Sequence, residues 1–146
     1  MNERILVPLD GSKTGEAALP VIQKLLTKLG PRVKSGSGRA QAGAVKGMAH
    51  ITGGGFIDNI PRVLPRHCDA LIHKGSWDIS PVFELLQRAG DVPEAEMYQV
   101  FNMGVGMVLI VDGEKAAALL KTAKTAGHKA WIIGEVVKGR GVTRLE

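Results

Sequence analysis

The chain has 146 residues, 45% of them hydrophobic and 23% charged, which excludes wholesale disorder and fits one domain of the usual ~100–200 residues. Nineteen Lys and Arg against fourteen Asp and Glu leave a formal charge of +5; the lone Cys68 excludes an intramolecular disulfide framework and suits a reducing compartment. No run reaches the ~18 uninterrupted apolar residues of a membrane span, and the opening MNERILVPLDGS lacks the apolar run of a signal peptide, so a cytoplasmic protein is expected.

Residues 4–9, RILVPL, read as a strand bounded by Asp10-Gly11. Ser12 or Thr14 then caps a helix over 15–29, in which Ala18, Val21, Ile22, Leu25, Leu26 and Leu29 recur at helical spacing. Gly30-Pro31 stops it. Residues 31–44 contain Ser35-Gly36-Ser37-Gly38, the composition of a flexible tether between two pieces. No acidic residue falls between positions 17 and 57, while Lys24, Lys28, Arg32, Lys34, Arg39 and Lys46 do, a distribution that attracts phosphate. Residues 1–55 carry no Phe, Trp or Tyr on which bases would stack, so nucleic acid is not expected as a partner.

After the tether, residues 45–51 read as a strand running into Thr52-Gly53-Gly54-Gly55, and 58–63 as a short helix closed by Leu64-Pro65. A strand is expected at 70–73. A helix at 82–89 starts at Ser80-Pro81 and sets Val82, Phe83, Leu85, Leu86 and Ala89 on one side. Another covers 93–101, with Glu94 and Glu96 in its first turn. The apolar run 105–111 predicts a strand buried on both faces, 114–126 an amphipathic helix ended by Gly127, and 130–137 a last strand.

Two segments carry chemistry. In the first, Gly53, Gly54 and Gly55 expose unshielded backbone N–H groups at a helix start, suited to phosphate, with Asn59 and Arg62 following. A glycine triplet serves a tight turn equally well. In the second, Asn102, Gly104 and Gly106 sit where a helix hands over to a buried strand, as a pocket wall or as a turn needing positive φ. His50, His67, His73 and His128 have no metal-ligand spacing, so no metal site is expected. Cys68, beside His67 and Asp69, reads as an inert thiol before a nucleophile. No nucleophile elbow, Walker loop or His-Glu-x-x-His motif occurs, and no catalytic residue is assigned.

The segments MAHITGGGF, NIPRVLP, GSWDISPVFELLQRAG, EMYQVFNMGVGMVLIV and AWIIGEVVKG, in that order, make residues 45–146 similar to the C-terminal domain of aminoimidazole ribonucleotide synthetase, or phosphoribosylformylglycinamidine cyclo-ligase. That family closes the imidazole ring of a purine precursor, using ATP and Mg²⁺ to activate an amide oxygen. The resemblance implies an α/β fold of α+β type: a three-layer α/β/α domain whose mixed sheet is distantly ferredoxin-like. It also implies a place beside the ribotide, and so a phosphorylated ribotide, sulfate or phosphate at the glycine loop, with a homodimer as a further expectation. The family's N-terminal domain, which holds most nucleotide and metal contacts, has no counterpart here. The chain alone is therefore expected to bind neither ATP nor Mg²⁺ and to turn nothing over.

Residues 4 to about 30, RILVPLDGSKTGEAALPVIQKLLTKLG, resemble instead the opening strand and helix of universal stress proteins, in which the Asp matching Asp10 touches the nucleotide. The glycine-rich motif that completes that site is missing, so Asp10 is a turn or cap residue first and a nucleotide contact second. The expected organisation is a composite: 1–30, a linker at 31–44, and 45–146, together one compact domain. The alternative function is a recombined or engineered scaffold with no ligand of its own; the tether's composition leans toward an engineered joint.

Overall fold

Six strands share one sheet in the order β2-β4-β1-β5-β3-β6, with β1 Glu3–Pro8, β2 Val45–His50, β3 Cys68–Ile72, β4 Met107–Asp112, β5 Ala130–Lys138 and β6 Thr143–Leu145. The structure, a computed structural model, describes residues 3–8 and 45–146. The expected helix at 15–29, the linker at 31–44 and Asp10 lie outside the described residues. Four α-helices are described: α1 Gly55–Asn59, α2 Pro81–Gly90, α3 Glu94–Val100 and α4 Ala116–Thr125. Every neighbouring strand pair is antiparallel except β3 with β6.

The apolar run of β4 is explained by cover on both faces. Val108 and Ile110 join a cluster with Phe56, Ile60, Trp77, Met97 and Tyr98, supplied by α1, α3 and the loops around them. Leu109 and Val111 point the other way, onto Ala116 and Leu119 of α4. The helix α4 also packs on β5 and across the β1 backbone. The result is three layers, helix on sheet on helix, as expected. Each fully buried Leu, Ile or Phe contributes roughly 1.5–3 kcal/mol, so neither layer is dispensable.

Three aromatic rings lock the first layer: Phe56 lies 5.5 Å from Trp77 and 6.1 Å from Tyr98, and Trp77 meets Tyr98 edge-on at 6.2 Å. The Trp77 indole N–H donates to the Met103 carbonyl at 3.0 Å, so its one polar atom is satisfied inside the core. Burial pushes the Tyr98 phenol above its ordinary pKa, and the Glu94 charge adds to the effect.

At the far edge, the buried Asp69 on β3 shapes the turn that brings β6 alongside. Its Oδ1 accepts the backbone N–H groups of Arg140, Gly141 and Val142 at 2.7, 3.0 and 3.1 Å, and Arg144 Nε reaches Oδ2 at 3.3 Å. A Cβ at Gly139 would overlap the Asp69 carboxyl, so that position must be glycine. The Thr143 hydroxyl then donates to the Phe56 carbonyl at 3.2 Å and ties β6 to α1.

Several boundaries differ from the sequence expectations. The helix expected at 58–63 starts at Gly55 and becomes a 3₁₀ turn at Ile60–Val63, because Pro61 has no N–H to continue the α pattern. Strand β4 begins at Met107 rather than 105, since the Val105 N–H turns back to the Asn102 carbonyl at 2.8 Å. The helix expected from 114 opens as a 3₁₀ turn at Gly113–Lys115, where Asp112 accepts the Glu114 N–H at 3.0 Å. Of the apolar side expected for 82–89, Phe83 packs half-buried against the core while Val82, Leu85, Leu86 and Ala89 stay exposed.

Two outcomes follow. A chain lacking residues 1–11 loses the strand between β4 and β5, and circular dichroism should show no cooperative melt. The Arg140 N–H foremost, with the Val142 N–H, the Arg144 charge and the Gly141 N–H, holds the Asp69 carboxyl below its ordinary pKa of 3.8, against the opposing effect of burial. Its stabilisation is therefore complete above pH 3.8 and lost as pH falls through the lower folded value. Asp69→Asn should lower the melting temperature at pH 7 and flatten the acid limb of the melting temperature against pH.

Candidate functional site

Strand β2 is pinned at its end by the Ile51 N–H, which donates to the Gly106 carbonyl at 3.0 Å. The chain then turns through residues 52–55: the Gly55 N–H closes onto the Thr52 carbonyl and the Asp58 N–H onto that of Gly54, both at 3.0 Å. The three glycines have different reasons to be there. Gly54, at φ 95°, and Gly55, at φ 53°, occupy the left-handed region. A Cβ on Gly55 would also collide with the Tyr98 carbonyl and stand 2.9 Å from that of Phe101. Gly53 has neither constraint: it is exposed, and a Cβ there would meet nothing within 4 Å. It is the glycine that the fold does not demand.

Asn59 is buried beneath this loop, and its Nδ2 donates to the carbonyls of Gly55 at 2.8 Å, Gly53 at 3.2 Å and Thr52 at 3.4 Å. The side chain gathers the loop's carbonyls on the inner side and so holds the loop's shape. Arg62 is exposed on the 3₁₀ turn and makes no ion pair among the described residues. Asp58 is exposed next to the loop, and a Cβ on Gly54 would lie 2.9 Å from its Oδ2. Sequence reasoning missed Asp58 because it placed the helix start there; the left-handed pair at 54–55 moves the start back and sets Asp58 over the loop.

Asn102 accepts the Gly104 N–H on its Oδ1 at 3.0 Å, and Met103 and Gly104 follow with φ 49° and 87°. The turn thus uses Asn102 and Gly104 for its own geometry. A Cβ on Gly104 would sit 3.9 Å from the Asp78 carbonyl oxygen and the Phe83 ring, so the turn abuts residues 78–83. The fold brings the two motifs together, through the Ile51–Gly106 hydrogen bond and the approach of Gly55 to Tyr98 and Phe101. Among the described residues no three of His, Cys, Asp and Glu converge as a metal site. Cys68 is buried on β3.

The family described as AIR synthase related protein, C-terminal domain, matches residues 12–145. The chain is 53% identical over 97 residues to the phosphoribosylformylglycinamidine cyclo-ligase of Caldanaerobacter subterraneus subsp. tengcongensis, and 46% identical over 132 residues to that of Bacillus mycoides. Those matches cover 66% and 90% of this chain but 29% and 38% of the relatives, so the chain spans about a third of their length. The hydrogenase maturation protein HypE of E. coli shares the fold at TM-score 0.63 and 18% identity, over 99% of this chain and 45% of that one. So does a thiamine-monophosphate kinase from Stenotrophomonas maltophilia, at TM-score 0.57 and 13% identity, over 100% of this chain and 50% of that one. The chain belongs to the AIR synthase related C-terminal-domain family. The family match begins inside the segment read as stress-protein-like and runs through 31–44, while β1 lies ahead of it.

The division of labour among the glycines is testable by thermal melts. Gly53→Ala should leave the melting temperature unchanged, whereas Gly55→Ala should lower it sharply. Asn59→Ala removes the side-chain hydrogen bonds to the Gly53 and Gly55 carbonyls and should cost about 1–3 kcal/mol.

Proposed function

We propose that this member of the AIR synthase related C-terminal-domain family is the ribotide-side part of a purine-biosynthesis cyclo-ligase, which closes formylglycinamidine ribotide to aminoimidazole ribotide. The observation that carries the reading is the 46–56% identity to relatives named phosphoribosylformylglycinamidine cyclo-ligase. In this reading the loop amides around Gly53 meet the ribotide phosphate, with Gly54 and Gly55 fixing their path and Asn59 drawing the carbonyls away. Arg62 supplies a guanidinium, and Asn102 and Gly104 form the neighbouring wall. ATP and Mg²⁺ belong in this reading to the remainder of the enzyme, which this chain does not span. The chain alone, a cytoplasmic protein and in this reading a homodimer, turns over no substrate; detectable ATP-dependent ring closure by the purified chain would refute this.

A second reading, a recombined scaffold without a ligand, has two observations in its favour. The Asp58 carboxylate beside Gly54 opposes an anion at the loop. Strand β1 precedes residue 12, where the family match begins, yet occupies the sheet centre, as a strand from another source would. The stress-protein resemblance belongs to this composite reading, with Asp10 as its nucleotide contact.

Calorimetry with formylglycinamidine ribotide, sulfate and ATP separates the readings. Ribotide binding should weaken by roughly 1.5–3 kcal/mol in Arg62→Ala, the scale of a charge-assisted hydrogen bond. Sulfate binding should strengthen in Asp58→Asn, which removes a like charge. ATP binding lost in Asp10→Ala would mark the stress-type site instead. No binding of any phosphate-bearing ligand at millimolar concentration leaves the scaffold reading.

A further inference from the structure

We propose that the outer edge of β6 takes up an extended acidic segment of a partner protein as a further strand, an interaction that does not depend on the cyclo-ligase reading. β6 is the last strand in the sheet order, and among the described residues no strand pairs with its second side. The Val142 carbonyl accepts the Ala70 N–H at 2.9 Å, and the Glu146 N–H donates to the Ile72 carbonyl at 3.0 Å, so the even-numbered residues turn their backbone groups toward β3. Those of Thr143 and Leu145 then point to the open edge, and among the described residues no backbone hydrogen bond engages them there.

The charge around this edge is one-sided. Residues 60–72 and 136–145, which contain β3, β6 and the turn from β5 into β6, carry Arg62, Arg66, Lys138, Arg140 and Arg144 but one carboxylate, Asp69. That carboxylate is buried and already holds three backbone N–H groups. Arg66, Lys138 and Arg140 are exposed and make no ion pair among the described residues; the Arg144 side chain reaches Asp69 yet stays 54% exposed. The fold draws these segments together. The Gly139 N–H donates to the His67 carbonyl at 2.9 Å, and a Cβ on Gly141 would stand 3.4 Å from the Arg66 Cα. Of the nearby acids, Glu146 is taken by His73 at 2.8 Å, and Glu135 lies beyond β3 on the neighbouring strand. Exposed cations without matching acids attract a negatively charged partner.

The edge selects among such partners. A phosphate group or a phosphodiester chain engages donors only, whereas an open edge offers acceptors as well and is filled by a peptide strand. A second copy of this chain is disfavoured, because pairing β6 with β6 sets arginines against arginines. Val142 and Arg144, two residues apart, lie on the face of the edge that holds Asp69, and Val142 is 47% exposed. An added strand therefore runs past an apolar and then a basic side chain, which suits a segment with an apolar and an acidic residue two positions apart.

The test titrates the full chain against a fluorescent peptide, acetylated and amidated, that repeats valine, threonine, glutamate and threonine over about eight residues, within the usual span of a strand. Anisotropy should show binding that fades at high salt and weakens about tenfold in the double variant Arg66→Glu, Arg140→Glu. Methylating alternate peptide amides, which removes ladder donors and leaves every charge, should also cost about tenfold. Amide exchange at Thr143 and Leu145 of the parent chain should slow when the peptide is added. The double variant should melt like the parent, because both substituted side chains are exposed, and Lys121→Glu on α4 should bind as the parent does. Should the double variant fail to fold, exchange at Thr143 and Leu145 decides. No binding, binding indifferent to the double variant or to amide methylation, or unchanged exchange at those two amides overturns the proposal. So does a preference for oligodeoxythymidine or inorganic polyphosphate over the peptide, or self-association of the chain through this edge.

Discussion

The ladder that residues 3–8 form with β4 on one side and β5 on the other holds the two halves of the sheet together. Arg4 stands opposite Val111 across one edge and Glu135 across the other, so one short strand satisfies backbone groups on both sides. Without it β2–β4 and β5–β3–β6 are two small ribbons, each with an open edge, and sheets of that size are marginal in water. Each backbone hydrogen bond is worth only ~0.5–1.5 kcal/mol net. The larger consequence is burial, because α4 needs β1 and β5 side by side to close the second layer. The contact joins segments about a hundred residues apart, so its loop-closure entropy has to be offset by many contacts forming together.

A second constraint passes from the core to the loop. The Gly55 backbone lies so close to the Tyr98 carbonyl that no side chain fits between them, and Tyr98 is itself fixed by Phe56 and Trp77. Trp77 in turn donates to Met103, in the turn that contains Asn102 and Gly104. Loop, aromatic cluster and turn therefore form one rigid unit. Rigidity of this kind is what a site needs when it must present backbone amides without reorganising. The same coupling explains why Gly55 answers to packing, whereas Gly54 answers to its left-handed φ and to the Asp58 side chain.

Where the sequence was legible, the signal was periodicity. The apolar run of β4 announced a strand covered on both faces, and Gly127 marked the end of the 114–126 helix. What it hid depends on contacts between distant residues. Asp69 looked like a neighbour of Cys68; its role appears only when residues 140–142 fold back over its carboxylate, and β6, too short to show a period, exists because of that turn. The apolar side of α2 was legible as a stripe but not as an exposed one, because periodicity says which residues share a face and not whether anything covers it. In the glycine loop the triplet was legible and its division was not, since φ and close approach belong to the folded backbone.

The charge arrangement around that loop bears on selectivity. Asn59 holds the carbonyls of Gly53 and Gly55 on its side of the loop. Asp58 places a carboxylate at the same mouth, and Arg62 follows one turn later. A loop with amides alone would take any small anion. In the ribotide reading, a carboxylate at its edge disfavours a bare anion and favours a ligand that brings a hydrogen-bond donor together with its negative charge. In the ribotide reading, the phosphate and the sugar hydroxyls next to it supply that combination and sulfate does not. The acid that weakens the loop as a general anion trap is then the group that makes it discriminate.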